Sequence, residues 1–293
     1  MLFLPNAEFY ITNVCNFTCQ NCNRFNHMGF KGSYKWHKGH YEKWAEKVHI
    51  NEIWVLGGEP TLCPDLPNFI LGISKLWPRS RKIIVTNGSN LKSDLVHKLM
   101  ARYSWDVELD LHSKPGSKIN KYIISNLIKN YGPFKKIRRF KKRLGVPTSA
   151  NHSFATVTHL TTKYNVRVEI HEQPEFYNNA FKDEKNLILH DGSDPVEAHE
   201  NCQMKTCHHF KDGKLYKCGV VCLVPDFMKQ KGKSYPKIYD QYAPLDADNI
   251  TQKALDVLDN DPIPQCKHCP ASQEDWTLKP MQSGMLGNKL KNI

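Results

Sequence analysis

The chain has 293 residues, a hydrophobic fraction of 40%, a formal charge of +12 and a pI near 9.1. That length can bury a substantial core, as one large domain with an appendage or as two domains, and no apolar run approaches the length of a membrane span. The opening MLFLPNAEFYITN lacks the basic start of a secretory signal and soon alternates apolar with polar residues, so a cytoplasmic protein is expected.

In chain order, a first strand is predicted at Glu8–Thr12, and a cysteine-rich loop follows it directly. A helix at His37–Val48 leads to a strand at Glu52–Leu56 that ends on Gly57-Gly58. A helix at Leu66–Leu76 then precedes a strand at Lys82–Val85, which ends on Thr86-Asn87-Gly88. A helix at Leu91–Tyr103 and strands at Asp106–His112 and Val166–Glu172 follow, and residues 114–165 read as mostly helical. Strands alternating with helices imply a parallel sheet or barrel.

Two strands alternate cleanly. Val107, Leu109 and Leu111 oppose Glu108, Asp110 and His112, while Val166, Val168 and Ile170 oppose Arg167, Glu169 and His171. Crossover helices should cover the apolar face. The polar face then lines either an open cavity, which is the favoured reading, or the protein surface. Phe134–Arg143 (FKKIRRFKKR) carries seven basic residues. It reads as a solvated helix face with Phe134, Ile137 and Leu144 buried, or as a patch for an anionic partner.

Ten cysteines without an export signal argue against a disulfide framework. They fall in two groups, Cys15, Cys19 and Cys22 near the start and six more in the last third, as for two metal sites. Cys63 stands alone between them. The first group has the spacing C-x3-C-x2-C. Three thiolates on one loop can hold three irons of a cubane cluster and leave the fourth open to a chelating molecule. Zinc is the alternative, with His27 as the nearby fourth ligand.

This triplet, placed after the first strand, resembles the signature of the radical S-adenosylmethionine (SAM) superfamily. The resemblance spans roughly residues 8–175 and continues in order through Gly57-Gly58-Glu59-Pro60, which is similar to the family's GGEP motif. It implies that this motif meets the amino group of SAM, with Glu59 balancing the ammonium. It further implies that Thr86, Asn87 and Gly88 lie near the ribose and that Ser113 lies near the carboxylate of SAM. The family commonly has an aromatic residue before the third cysteine. Here Asn21 takes that place, and Phe17 offers apolar cover nearby.

In the last third, Cys202 and Cys218 have the spacing C-x10-G-x4-C around Gly213, and Cys266-Lys-His-Cys269 follows. This resembles the SPASM and twitch extensions, and the shorter twitch form implies one auxiliary 4Fe–4S cluster. Gly213 is predicted to turn a hairpin in FKDGKLYKC. By the family pattern Cys202, Cys218, Cys266 and Cys269 are ligands, with Cys207 replacing Cys202 or adding a spare. Cys222 in GVVCLV and Cys63 read as buried thiols, Cys63 having a substrate-facing role as its alternative. A zinc ribbon is the alternative for the group.

The implied architecture is an α/β fold, a partial (β/α)6 barrel over residues 1–195 with a small α+β extension over 196–293. The implied activity is reductive cleavage of SAM to a 5′-deoxyadenosyl radical that abstracts hydrogen from substrate, with electrons from a donor such as flavodoxin or ferredoxin. A small anionic or sugar-like substrate, oxidised or epimerised, is favoured, with Glu108, Asp110, His112, Glu169 and His171 as candidate cavity bases. A peptide substrate is the alternative. The first strand begins by about residue 8, too early for an N-terminal peptide-recognition domain. A zinc protein binding nucleic acid through the basic run, with Phe134 and Phe140 as stacking groups, is the rival from another class. It leaves GGEP and TNG unexplained.

Overall fold

The computed structural model describes residues 1–19, 22–91, 94–113, 116–134, 137–143, 154–172, 175–176, 180–202, 204–271 and 279–280. Asn21, Leu144 and the side chain of Phe140 lie outside what it describes.

The alternating elements appear in the predicted order. They are β1 (Leu2–Tyr10), α1 (Lys38–Lys47), β2 (Val48–Leu56), α2 (Leu66–Leu76), β3 (Arg81–Thr86), α3 (Asp94–Arg102), β4 (Trp105–Leu111) and α4 (Lys118–Tyr131). The first two strands are longer than predicted, since Leu2–Asn6 pairs with Val48–Glu52.

After α4 the regular alternation stops. The described part of residues 114–165 is not mostly helical, because β5 (Ile137–Arg143) and β6 (Phe154–Thr161) follow α4 and pair antiparallel before β7 (Arg167–Glu172). From Ile137 to Arg143 the basic run is therefore a strand, and Ile137, expected in a buried stripe, is 66% exposed. Phe134 packs on the core, which removes one of the two expected stacking groups. Cross-strand pairing with β6 outweighs the helix reading here. β5 also ends the sheet, where lysines and arginines discourage pairing with another chain's edge.

The rest of the chain supplies β8 (Glu175–Phe176), β9 (Phe181–Asp183), β10 (Ile188–Leu189), α5 (Pro195–Glu200), β11 (His209–Lys211), β12 (Lys214–Tyr216), α6 (Gly219–Gln230), α7 (Gln252–Asn260) and β13 (Lys279–Pro280). β11 and β12 form the hairpin predicted around Gly213. Asp212 and Gly213 both have positive φ (48° and 77°), as a two-residue turn requires. β11 then pairs parallel with β1, giving a nine-stranded sheet in the order β12-β11-β1-β2-β3-β4-β7-β6-β5. The fold is thus mixed α/β around a parallel-strand sheet.

One sheet face is covered by α1–α4. Trp44, Phe69, Ile73, Met100 and Leu127 pack there against Phe9, Val55, Ile84, Val107, Leu109 and Val168, each contributing about 1.5–3 kcal/mol by burial. A second apolar cluster joins Phe25 and Phe30 of the cysteine loop to Phe181 and to α6 residues such as Leu223 and Phe227. Cys222 is buried in this cluster, as predicted. Among the described residues no helix is long and apolar enough to cross a membrane.

Candidate active site

Parallel strands place the loops after β1, β2, β3 and β4 at one end of the sheet. The loops after β1 and β2 are joined by backbone hydrogen bonds, Gly58 N to Thr12 O at 2.7 Å and Glu59 N to Val14 O at 2.8 Å. A Cβ on Gly57 would lie 2.4 Å from Thr12 O, and one on Gly58 2.2 Å from Val14 O. The two glycines thus admit the cysteine loop itself to close contact, a reason for their presence independent of any cofactor.

Glu59 is fully buried and its carboxylate accepts four hydrogen bonds. Thr61 donates from N (3.1 Å) and Oγ1 (2.5 Å), Thr86 from Oγ1 (2.6 Å) and Asn87 from N (2.8 Å). Burial raises its carboxyl above the ordinary value while these donors hold it down. Glu59 therefore ties the loop after β3 to the loop after β2. Asn87 extends the tie to the cysteine loop, donating to Asn16 Oδ1 at 3.1 Å and approaching Cys15 Sγ at 3.9 Å. Asn16 donates in turn to Ser89 Oγ at 2.8 Å. Sequence reasoning missed Asn16 and Ser89, which flank the motifs without belonging to them.

Cys15, Cys19 and Cys22 line one cavity of about 320 Å³. Phe17, Gly57, Gly58, Thr86 and Asn87 share its wall, and so do Glu108, Asp110 and His112 of β4 and the segment after it. The polar face predicted for β4 thus borders a cavity. Glu59, Pro60, Gly88, Ser113, Glu169 and His171 are not among the residues that line it. Gly88, at φ 72°, turns toward the core, where a Cβ would meet Leu109 at 2.2 Å. Ser113 is buried, and its carbonyl accepts from Asn120 Nδ2 at 3.0 Å.

Burial, reinforced by Glu59, pushes Cys15 up to about 12, and burial with the neighbouring Cys22 and Cys15 raises Cys19. Burial acts the same way on Cys22, but a hydrogen bond from His27 and its charge outweigh it and leave that thiol below its ordinary value. His27 meets Glu184 at 3.0 Å. Three thiols crowded in one desolvated loop, two raised and one lowered by His27, are a donor set suited to a metal cluster, which takes them as thiolates.

The inner face of β4 and β7 carries a continuous polar network. Arg81 pairs with Glu52 (2.9 Å) and Asp106 (3.1 Å), and Arg167 also pairs with Asp106. Nearer the cavity, Glu169 receives His159 at 3.1 Å and His171 at 3.2 Å. The hydrogen bond from the His171 imidazole, opposed by burial and aided by His159, carries Glu169 down to about 2. Burial and then the charge of Glu108 push Asp110 up to about 7, while burial lowers His112 to about 4.

A second set of cysteines gathers elsewhere. Cys202, Cys218, Cys266 and Cys269 line a small cavity of about 30 Å³ between α5, the start of α6 and the turn at Pro264–His268. Burial raises all four thiols, Cys202 to about 12. Cys207 is not among them. It lines the large cavity beside Glu8 and Arg24, which pair at 2.8 Å. Glu8 and Arg24 were not anticipated, although the register of β1 could have revealed that Glu8 shares a face with Trp54. Cys63 is an ordinary buried thiol directed at Ile11 O (3.4 Å).

No protein-family model matches the chain. It is 32% identical over 111 residues to an S-adenosylmethionine-dependent nucleotide dehydratase of Flammeovirga pacifica, covering 35% of this chain and 37% of that protein. It is 33% identical over 113 residues to a probable GTP 3′,8-cyclase of Saccharolobus solfataricus, covering 38% of this chain and 35% of that protein. The match thus spans little more than a third of the length of these curated relatives. Among solved structures, it is similar to BtrN in complex with AdoMet and 2-DOIA (20% identity, TM-score 0.32, 41% of this chain and 50% of that one). It is also similar to Streptococcus suis SuiB bound to precursor peptide SuiA (14% identity, TM-score 0.41, 93% of this chain and 71% of that one).

Proposed function

We propose, from the premise that the chain belongs to the radical SAM superfamily, that it is an enzyme with two iron–sulfur sites acting on a small anionic or sugar-like molecule. The observation that carries this reading is the partition of the cysteines. Cys15, Cys19 and Cys22 share the large cavity, while Cys202, Cys218, Cys266 and Cys269 share a separate small one.

The three thiols of the first set would hold a 4Fe–4S cluster, and the four of the second an auxiliary cluster. With SAM bound, the first cluster supplies a carbon radical able to take hydrogen from an unactivated position. The chain's own residues do the rest. Glu59, Asn87 and Asn16 fix the three loops against one another, so that the cavity keeps its shape as charge moves. Phe17 and Trp54 provide apolar wall, and Thr86 and Asn87 provide polar wall.

The groups facing substrate are Glu108, Asp110 and His112. Asp110 at about 7 and a neutral His112 are placed to accept a hydroxyl proton during oxidation or epimerisation. Glu169 and His171, hydrogen-bonded to each other at 3.2 Å, act as positioning residues. An external donor such as flavodoxin or ferredoxin would provide electrons.

The test is to incubate anaerobically prepared protein with SAM and dithionite and measure 5′-deoxyadenosine and methionine. Formation of both, abolished by Cys19→Ala, is expected. No SAM cleavage by cluster-loaded protein would overturn the reading.

A further inference from the structure

The inner face of β4 and β7 brings two carboxylates and an imidazole together at the wall of the large cavity. One ligand atom from each of Glu108, Asp110 and His171 lies within 4.8 Å of the others. The strand register produces this, since Asp110 stands opposite His171 across the β4–β7 ladder and Glu108 lies two residues before Asp110 on the same face.

The imidazole is oriented for this group. His171 is 8% exposed, and its Nε2 is hydrogen-bonded to Glu169 Oε1 at 3.2 Å. Nδ1 faces Asp110 at 3.7 Å and Glu108 at 3.8 Å, too far for a hydrogen bond to either. Glu169 is itself held by His159 at 3.1 Å and approached by Arg81 at 3.8 Å. A carboxylate fixing one ring nitrogen so that the other points at two further carboxylates is the usual arrangement behind a metal-bound histidine. Arg81 and Arg167 pair with Asp106 farther along the strand.

We infer that Glu108, Asp110 and His171 form a binding site for a divalent cation of the Mn²⁺ class, with open coordination positions toward the cavity. Two carboxylate oxygens and one imidazole nitrogen suit such an ion, and three protein ligands leave places for water or for substrate oxygens. A bound cation reverses the sign of this acidic wall, so that an oxygen-rich, anionic substrate can be held against it. It also takes Asp110 out of proton transfer and leaves His112 as the acceptor. The use of the ion in holding substrate rests on the function proposed above; its binding does not.

The experiment is an Mn²⁺ titration of the full, cluster-loaded chain, followed by electron paramagnetic resonance with the clusters in their oxidised, silent state. About one Mn²⁺ per chain is expected, with ¹⁴N coupling from one imidazole in the pulsed spectrum. His171→Gln should remove that coupling, and Asp110→Asn should abolish tight binding. Glu169→Gln should weaken binding about 10–100-fold by releasing the ring. The Cys15→Ala, Cys19→Ala, Cys22→Ala variant should still bind Mn²⁺, which separates failure of this site from failure of the cluster assignment. No Mn²⁺ bound by the native chain, no nitrogen coupling, or binding unchanged in Asp110→Asn would overturn the site. The carboxylates would then be left to a cationic group of the substrate.

Discussion

Cys202 and Cys207, separated by only four residues in the chain, face different cavities. Cys202 meets Cys218, Cys266 and Cys269, whereas Cys207 lies with Glu8 and Arg24 on the wall that carries the N-terminal cysteines. A turn before Cys207 is closed by Cys207 N to Met204 O at 3.0 Å.

A first prediction concerns this pair. Cys207→Ser is expected to leave the iron content unchanged, because its thiol belongs to neither ligand set. Cys202→Ser should lower it. Iron and sulfide analysis of the two purified variants decides the matter, and equal losses would contradict the partition.

Gly58→Ala should displace the cysteine loop, because the new Cβ would stand 2.2 Å from Val14 O. The expected cost is about 1–3 kcal/mol, with loss of the N-terminal cluster's spectral signature and retention of the C-terminal one. Gly39→Ala on α1 meets nothing within 4 Å and serves as the control. It should be neutral or stabilising by up to about 1 kcal/mol. Denaturant unfolding measures both.

Glu59→Gln replaces an acceptor oxygen with a donor amide among Thr61, Thr86 and Asn87, all of which already donate. A loss of about 1–3 kcal/mol is expected, larger than that of Thr86→Val, which removes one donor. Unfolding midpoints of the two variants test the order.

His97 gives a pH dependence unrelated to the cavity. It is buried against Tyr131, with ring centroids 4.1 Å apart, and burial holds it down to about 4. The unfolded chain takes up this proton near pH 6.5, whereas the folded chain does so only near pH 4. The stability from the neutral ring is therefore complete above about pH 6.5. It falls as pH drops toward 4 and changes no further below that. The contribution is on the order of 3 kcal/mol, and His97→Phe should flatten that part of the stability profile. An unchanged slope in the variant would exclude His97 as its source.

Much of the site was legible because its signals are local. The cysteine spacing, GGEP and TNG lie in short loops after strands, and the alternation of Val107–His112 revealed which side chains share a face. The grouping of Cys202 with Cys218, Cys266 and Cys269 was legible only as a resemblance, since spacing alone does not say which cavity Cys207 lines. The β5–β6 pair was not legible at all. A run such as Ile137–Arg143, with few apolar residues, carries no periodicity to separate a helix from an edge strand, and its conformation is set by pairing with distant residues. Glu59 was expected to face a ligand, yet its four partners depend on how three loops meet in space.

The central claim is that seven cysteines form two iron–sulfur sites. The most direct measurement counts iron, sulfide and zinc in anaerobically reconstituted protein. It compares the native chain with one variant lacking Cys15, Cys19 and Cys22 and another lacking Cys202, Cys218, Cys266 and Cys269. The account predicts about eight irons in the native chain and about four in each variant. About four irons in the native chain, all lost with the first three cysteines, or zinc in place of iron at either set, would contradict it.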